Sequence, residues 1–176
     1  FDAVGETFEA LAAEVDGVDA RPIAEEIAWA DARITKACEK YLKRFDPPRV
    51  AIAAGGSYAT FAADLLDRYL GADIACVAAR NDSGAWSGAF THTTDLSVVR
   101  DMIRNTEPDL ILGSSYERAI DPRAAFVGLT SPLRGRVLLS SRALAGIEGA
   151  LWLMGEVLNA CINRNRRPES ESIDLS

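Results

Sequence analysis

The sequence predicts an α/β domain with a four- or five-stranded parallel sheet and helices on both faces. Three observations carry this. Short apolar runs such as residues 50–54 are too short for helices and alternate with stretches of helical period. The joins between them are short, as in the crossover units of a parallel sheet. Two of the runs stop at small residues, Gly55-Gly56-Ser57 and Gly113-Ser114-Ser115, which suit tight strand-to-helix turns.

Residues 1–15 carry Phe8, Leu11 and Ala12 at helical spacing, and Gly17 ends that short helix. Arg21-Pro22 opens a longer one, with Pro22 suited to its first turn. Ile23, Ile27, Ala30, Ile34, Cys38, Tyr41, Leu42 and Phe45 recur every three or four residues and mark its buried face. Its charged residues, among them Glu25, Lys36 and Lys40, mark the solvated face, and Trp29 at the boundary is either core or a partner contact. Pro47-Pro48 stops this helix before the first strand, residues 50–54. Gly55 and Gly56 allow a sharp turn or the close approach of a ligand. Ser57 is placed to cap the next helix, whose apolar face is Phe61, Leu65, Leu66 and Tyr69, and Gly71 suits its end.

Residues 74–79 read as the second strand. Residues 80–94 show no clear period and read as a long loop holding Trp86, Phe90 and the sole histidine, His92. No second His, Cys or carboxylate stands at metal-site spacing from His92, so no metal ligand is assigned. Asp95 caps a helix with Leu96, Val99, Met102 and Ile103 on its apolar face, and Pro108 ends it. Residues 109–112 form the third strand, 116–120 a single helical turn, and 125–129 the fourth strand, followed by Thr130-Ser131. Residues 137–139 are a short fifth strand or an extended lead into the last helix. That helix, residues 143–162, is apolar nearly all round, so it is buried on several sides or packs against another chain. Gly146, Gly149 and Gly155 within it cost about 1 kcal/mol each relative to alanine, which points to close backbone packing. The domain is assigned to residues 1–163, and the polar residues 164–176 to a disordered tail.

These elements make a Rossmann-like, three-layer arrangement. A strand order of 2-1-3-4 sets the joins after the first and third strands side by side. The resulting crevice is lined by Gly55, Gly56, Ser57, Gly113, Ser114 and Ser115, with Thr130 and Ser131 beside them. A helix start there suits an anion or a carbonyl; otherwise the glycines serve only as turns. No nucleophile with a base, no G-x-S-x-G and no dinucleotide or triphosphate fingerprint is present, so no catalytic residue is assigned.

Composition bounds the partners. A net charge of −7 argues against nucleic acid and anionic membrane surfaces. No apolar run approaches the roughly 20 residues a membrane span needs. Cys38, Cys76 and Cys161 lie far apart in apolar patterns, and such a sparse, odd set suits a reducing, cytoplasmic compartment. Phe1 at the start fits a chain that begins inside a longer protein.

The long second helix leads into R-V-A-I-A-A-G-G-S-Y-A, then come E-P-D-L-I-L-G-S-S-Y-E, L-T-S-P-L-R-G and the glycine-bearing A-G-I-E-G-A-L-W-L-M-G-E-V-L-N-A. In this order the pieces resemble the C-terminal part of nitrogenase component 1-type proteins over about residues 1–163, with P-D-L-I-L-G-S-S-Y and G-I-E-G carrying most of the likeness. The resemblance implies a subunit of three Rossmann-like domains, of which this is one, fed by an ATP-driven iron–sulfur reductase. It implies an iron–sulfur cluster in the full-length complex, on cysteines of the N-terminal portion, and none in this fragment. The sequence also departs from the family pattern. In the nitrogenase catalytic α-type subunit a histidine shortly before the glycine-bearing helix binds the metal cofactor. Residues 133–142 hold no histidine and instead carry Arg134, Arg136 and Arg142, so ligation of that cofactor and dinitrogen reduction are not expected. Arg134 joins the candidate site as a partner for an anionic ligand, or is surface charge.

The resemblance implies a domain of a nitrogenase-like oxidoreductase or cofactor-assembly subunit, inactive in isolation. It would contribute to a cofactor or substrate cavity and to a subunit interface in an electron-transfer complex, with other domains or subunits as partners. The alternative is a non-catalytic ligand-binding domain for a small anion or nucleotide. A nucleotide-sugar enzyme shares the fold but would need an acid/base pair that the sequence does not offer.

Overall fold

The computed structural model describes residues 1–81, 90–135 and 144–165. Helix α1 spans Asp2–Glu14 and α2 Arg21–Leu42, followed by β1 at Arg49–Ala54, α3 at Gly56–Leu70 and β2 at Asp73–Ala79. Next come β3 at Phe90–His92, α4 at Leu96–Thr106, β4 at Leu110–Gly113, α5 at Ser115–Arg118, β5 at Ala125–Gly128 and α6 at Gly146–Asn165. The strands form a five-stranded parallel sheet in the order β3-β2-β1-β4-β5. The expected order of the four longer strands is therefore present, with β3 added at one edge.

β1 is central, and Val50 to Ala54 are all buried, which explains its unbroken apolar run. Val50, Ala51 and Ile52 stand beside Leu110, Ile111 and Leu112 of β4. Alternate residues feed two cores. Val50, Ile52, Ala54, Val77, Leu110, Leu112 and Val127 pack with α2, α3 and α6, through residues such as Ile34, Leu66, Leu153 and Val157. The opposite face, with Ala51, Ala53, Ala78 and Ile111, packs on Val99 and Ile103 of α4. That second core is much the smaller.

The long helix buries Ala30, Ile34, Cys38 and Tyr41, while Trp29 is 51% exposed with the Arg33 guanidinium 4.9 Å from its ring centre. Gly71 ends α3 at φ 57°, and Asp95 caps α4 by accepting from the Ser97 amide. Leu96, expected on the apolar face of α4, is half exposed.

Several expectations change. His92 lies in β3 rather than in a loop, because residues 90–92 pair with Val77, Ala78 and Ala79. α3 starts at Gly56 with Gly55 as N-cap and no side-chain cap bond, so Ser57 sits inside the first turn and caps nothing. The three glycines of the last helix behave differently. Gly146 opens α6 at φ 68°, in the left-handed region. At Gly149 a Cβ would stand 2.7 Å from the Leu144 carbonyl carbon, so here the backbones do pack closely. At Gly155 a Cβ would meet nothing within 4 Å. α6 continues through Arg164 and Asn165, two residues assigned above to the tail, and Arg164 forms a 2.8 Å ion pair with Asp109. Residues 137–139 and 166–176 lie outside the described residues, as do Trp86, Arg136 and Arg142.

Candidate functional site

β1 sits between β2 and β4, and the chain moves from β1 to one side and from β4 to the other. The strand order reverses between them, so their C-terminal ends form the switch point at which open α/β sheets take ligands. The register carries the two strands side by side to Ile52 and Leu112, which sets Gly55-Gly56-Ser57 and Gly113-Ser114-Ser115 at the same edge. The sheet thus brings together the two small-residue joins.

At Gly55 and Gly113 space is tight, and Gly55 needs no unusual backbone. Gly55 is extended, at φ −61° and ψ 144°, and a Cβ would stand 3.2 Å from Asn81 Oδ1. At Gly113 a Cβ would lie 3.1 to 3.3 Å from three atoms of Glu117. Both joins are crowded by side chains that reach back onto them.

Those side chains also engage the amides that a ligand was expected to meet. Gly56 N donates to Asn81 Oδ1 at 3.0 Å. Ser114 N and Oγ both donate to Glu117 Oε2, at 2.7 and 2.5 Å, while Ser114 Oγ accepts from Tyr116 N at 3.2 Å. This is a capping box on the four-residue α5. Ser114 and Glu117 are fully buried, at 0% and 1% exposure, and Arg80 donates to the other carboxylate oxygen of Glu117 at 3.4 Å. Arg80 follows β2, and its amide bonds Ala54 O at the end of β1. Arg80 and Glu117 therefore tie the ends of β2, β1 and β4 together. A carboxylate this buried is tolerated because its oxygens are hydrogen-bonded and it has a counter-ion.

Ser115 N donates to Pro132 O at 2.9 Å, and Ser115 Oγ accepts from Arg134 N at 2.6 Å. Thr130 N donates to Gly113 O at 3.2 Å. The Thr130 hydroxyl oxygen is buried and has no hydrogen-bond partner among the described residues. Ser131 is exposed, and its peptide bond to Pro132 is cis. Ser57 is exposed in the first turn of α3. Tyr58 and Tyr116, in the first turns of α3 and α5, are 42% and 45% exposed. The structure places Arg134 on the β4/β5 side, where its guanidinium lies 5.5 Å from the Tyr116 ring centre.

Arg80, Asn81, Glu117 and Arg118 were not singled out from sequence. For Glu117 a signal existed: Ser114-x-x-Glu117 is a capping-box pattern. For Asn81 and Arg80 none did, because their partners lie 25 and 37 positions away.

Among the described residues no group of three His, Cys, Asp or Glu side chains is placed to share a metal ion. Burial pushes the Cys38 and Cys161 thiols up to about 11 and also raises Cys76, so all three hold their protons tightly. No helix of the described residues is long and apolar enough to cross a membrane.

A Rossmann-like domain with a parallel sheet and a crowded, glycine-lined switch point is the class that fold and site define. The sequence profile of the family described as "Nitrogenase component 1 type Oxidoreductase" matches residues 1–162, and the chain belongs to that family. A similar solved structure is titled "Nitrogenase Cp1 at pH 6.5"; it superposes with a TM-score of 0.72 at 19% sequence identity over 96% of this chain. The chain spans 40% of the length of that protein. No curated protein matches it.

Proposed function

We propose that this chain is one domain of a nitrogenase-like oxidoreductase or cofactor-assembly subunit. Its β1/β4 edge would form part of a cofactor or substrate cavity that other domains or subunits complete. The observation that carries this reading is the switch point itself, where two small-residue joins meet at the C-terminal ends of adjacent parallel strands. Two details support it. The buried Thr130 hydroxyl lacks a partner among the described residues, as a group awaiting a ligand or a neighbouring chain would. Tyr58 and Tyr116 present exposed rings at the same edge, as interface residues do.

The partners are the remaining domains or subunits of a component 1-type complex, and electrons come from an ATP-driven iron–sulfur reductase. An iron–sulfur cluster belongs to the complete complex and uses residues outside this chain. The location is the cytoplasm, and the isolated chain is inactive.

Ser57→Leu tests the cavity. Ser57 is exposed, so added bulk there spares the core. It is a cleaner probe than Ser115, whose hydroxyl already accepts from the Arg134 amide. In the full-length assembled protein, Ser57→Leu should abolish reductase activity or cofactor retention while leaving assembly intact. Full activity and cofactor content in that variant would overturn the cavity. A ligand retained at this edge by an intact complex that accepts no electrons would favour a non-catalytic binding domain.

A further inference from the structure

We propose that a pocket beside the edge strand β5, adjoining the candidate site, binds a small oxyanion, a carboxylate or a phosphate, between the guanidinium groups of Arg118 and Arg134. The pocket has a volume of about 180 Å³ and is lined by Ser115, Arg118, Phe126, Gly128, Leu133 and Arg134. Phe126 and Gly128 are two apart on β5, so they face the same side of the sheet. Phe126 packs into the smaller core, on the thinly covered face of the sheet. A Cβ at Gly128 would stand 2.5 Å from Leu133 Cδ2, so only glycine lets the Leu133 side chain close one wall of the pocket.

Its chemistry is one-sided. The lining contains two guanidinium groups and a hydroxyl and no carboxylate. Arg80 and Arg123, by contrast, are each paired with an acid, Glu117 and Asp121. Among the described residues no carboxylate lies within ion-pair distance of Arg118 or Arg134. Aromatic rings hold them instead. The Arg118 guanidinium lies 5.5 Å from the Phe126 ring centre, and that of Arg134 lies 5.5 Å from Tyr116. A guanidinium held over a ring by cation–π attraction keeps N–H groups free to donate. Ser115 Oγ accepts from the Arg134 amide, which leaves its own proton to donate. Two planar cations and one hydroxyl donor around a small cavity match an oxyanion. The volume is below the roughly 300 Å³ at which drug-sized ligand sites begin, so the ligand is a small anion or the end group of a larger molecule.

The pocket shares Ser115 and Arg134 with the candidate site, but Arg118, Phe126 and Leu133 lie outside it, so binding here can be tested apart from the crevice. The test uses the full-length assembled protein at low ionic strength, titrated by calorimetry with inorganic phosphate and, separately, with succinate. Saturable binding of at least one probe is expected. Arg118→Gln and Arg134→Gln should each weaken it about tenfold, as loss of a charge-assisted hydrogen bond does. Arg134→Lys, which keeps the charge but not the fork, should lose less. Arg123→Gln and Ser57→Leu should leave binding unchanged. Phosphate alone bound identifies a phosphate site, and succinate alone a carboxylate site. No saturable binding of either probe overturns the proposal. So does a double Arg118→Gln/Arg134→Gln variant that binds like wild type, or an equal loss in Arg123→Gln, which would reveal only general surface charge.

Discussion

Glu117→Ala should loosen the β4–α5 join far more than its place in a four-residue helix suggests. The substitution removes the acceptor of Ser114 N and Ser114 Oγ, at 2.7 and 2.5 Å, in a fully buried position. Hydrogen bonds to a charged group are worth about 1.5–3 kcal/mol each, so two of them set an upper range of about 3–6 kcal/mol. The Arg80 pair adds less than the two Ser114 bonds, because Arg80 is 37% exposed and partly screened by water, and at 3.4 Å it is long. The ledger also has an opposing term, since removing a buried carboxylate ends its desolvation cost. A net loss of about 3 kcal/mol follows, equivalent to about a hundredfold faster exchange of amides that open with this region. Hydrogen exchange read by mass spectrometry on peptides covering residues 108–118 of the full-length protein measures it. Glu117→Gln keeps the shape and one acceptor and should lose about half as much. Arg80→Ala should lose less than Glu117→Ala, because the bond is 3.4 Å long and the guanidinium end of the pair is partly in water. If Arg80→Ala costs as much as Glu117→Ala, the ion pair and not the cap holds the join, and the reasoning fails. Exchange in Glu117→Ala at the wild-type rate would refute both.

Three further outcomes are expected. Gly149→Ala would press a methyl against the Leu144 backbone and should cost about 1–3 kcal/mol, while Gly155→Ala meets open space and should gain up to about 1 kcal/mol; urea midpoints of the two variants must move in opposite directions. Cys38 and Cys161, with thiols pushed up by burial to about 11, should resist iodoacetamide at pH 8 until urea unfolds the chain, and rapid native labelling of Cys161 would contradict their placement. Because those thiols ionise more easily unfolded, near 9.0, their contribution to stability is complete below that pH and is lost as pH rises toward 11. Asp95 behaves in the opposite sense: bonds from the Ser97 hydroxyl and amide hold its carboxyl below the ordinary 3.8, so its capping of α4 persists at neutral pH and is lost as acid protonates it. Faster exchange in residues 96–100 as pH falls through 4 to 3, after correction for intrinsic rates, checks this; unchanged protection would show that the cap is dispensable.

The strands that pack on both faces were legible because burial on both sides leaves an unbroken apolar run, as at Val50 to Ala54 and Leu110 to Leu112. β3 was not, because three residues are too few to show a period and only their pairing with Val77, Ala78 and Ala79 makes them a strand. The helix starts were harder still. Ser57 has the right chemistry and stands just after the glycines, yet Gly56 N finds its acceptor on Asn81, 25 positions away. Gly149 and Gly155 are the same residue in the same helix, and nothing local separates the crowded one from the open one.

What could be read was that the two small-residue joins lie side by side, and what could not was that the protein's own side chains engage their amides. Strand order alone sets the joins after β1 and β4 side by side. Small residues there suggested open amides, but Asn81, Glu117 and Pro132 accept from Gly56, Ser114 and Ser115. The glycines are small so that Asn81 and Glu117 can reach them. A ligand at this edge therefore meets exposed side chains such as Ser57, Tyr58 and Tyr116 before it meets the α5 backbone, whose cap is closed. Substitutions that report on a ligand should accordingly cluster at those exposed positions, and substitutions at Gly113 or Ser114 should report on stability. An assembled protein in which Ser114→Ala lost ligand but kept its stability would reverse that assignment and reopen the capped turn as part of the site.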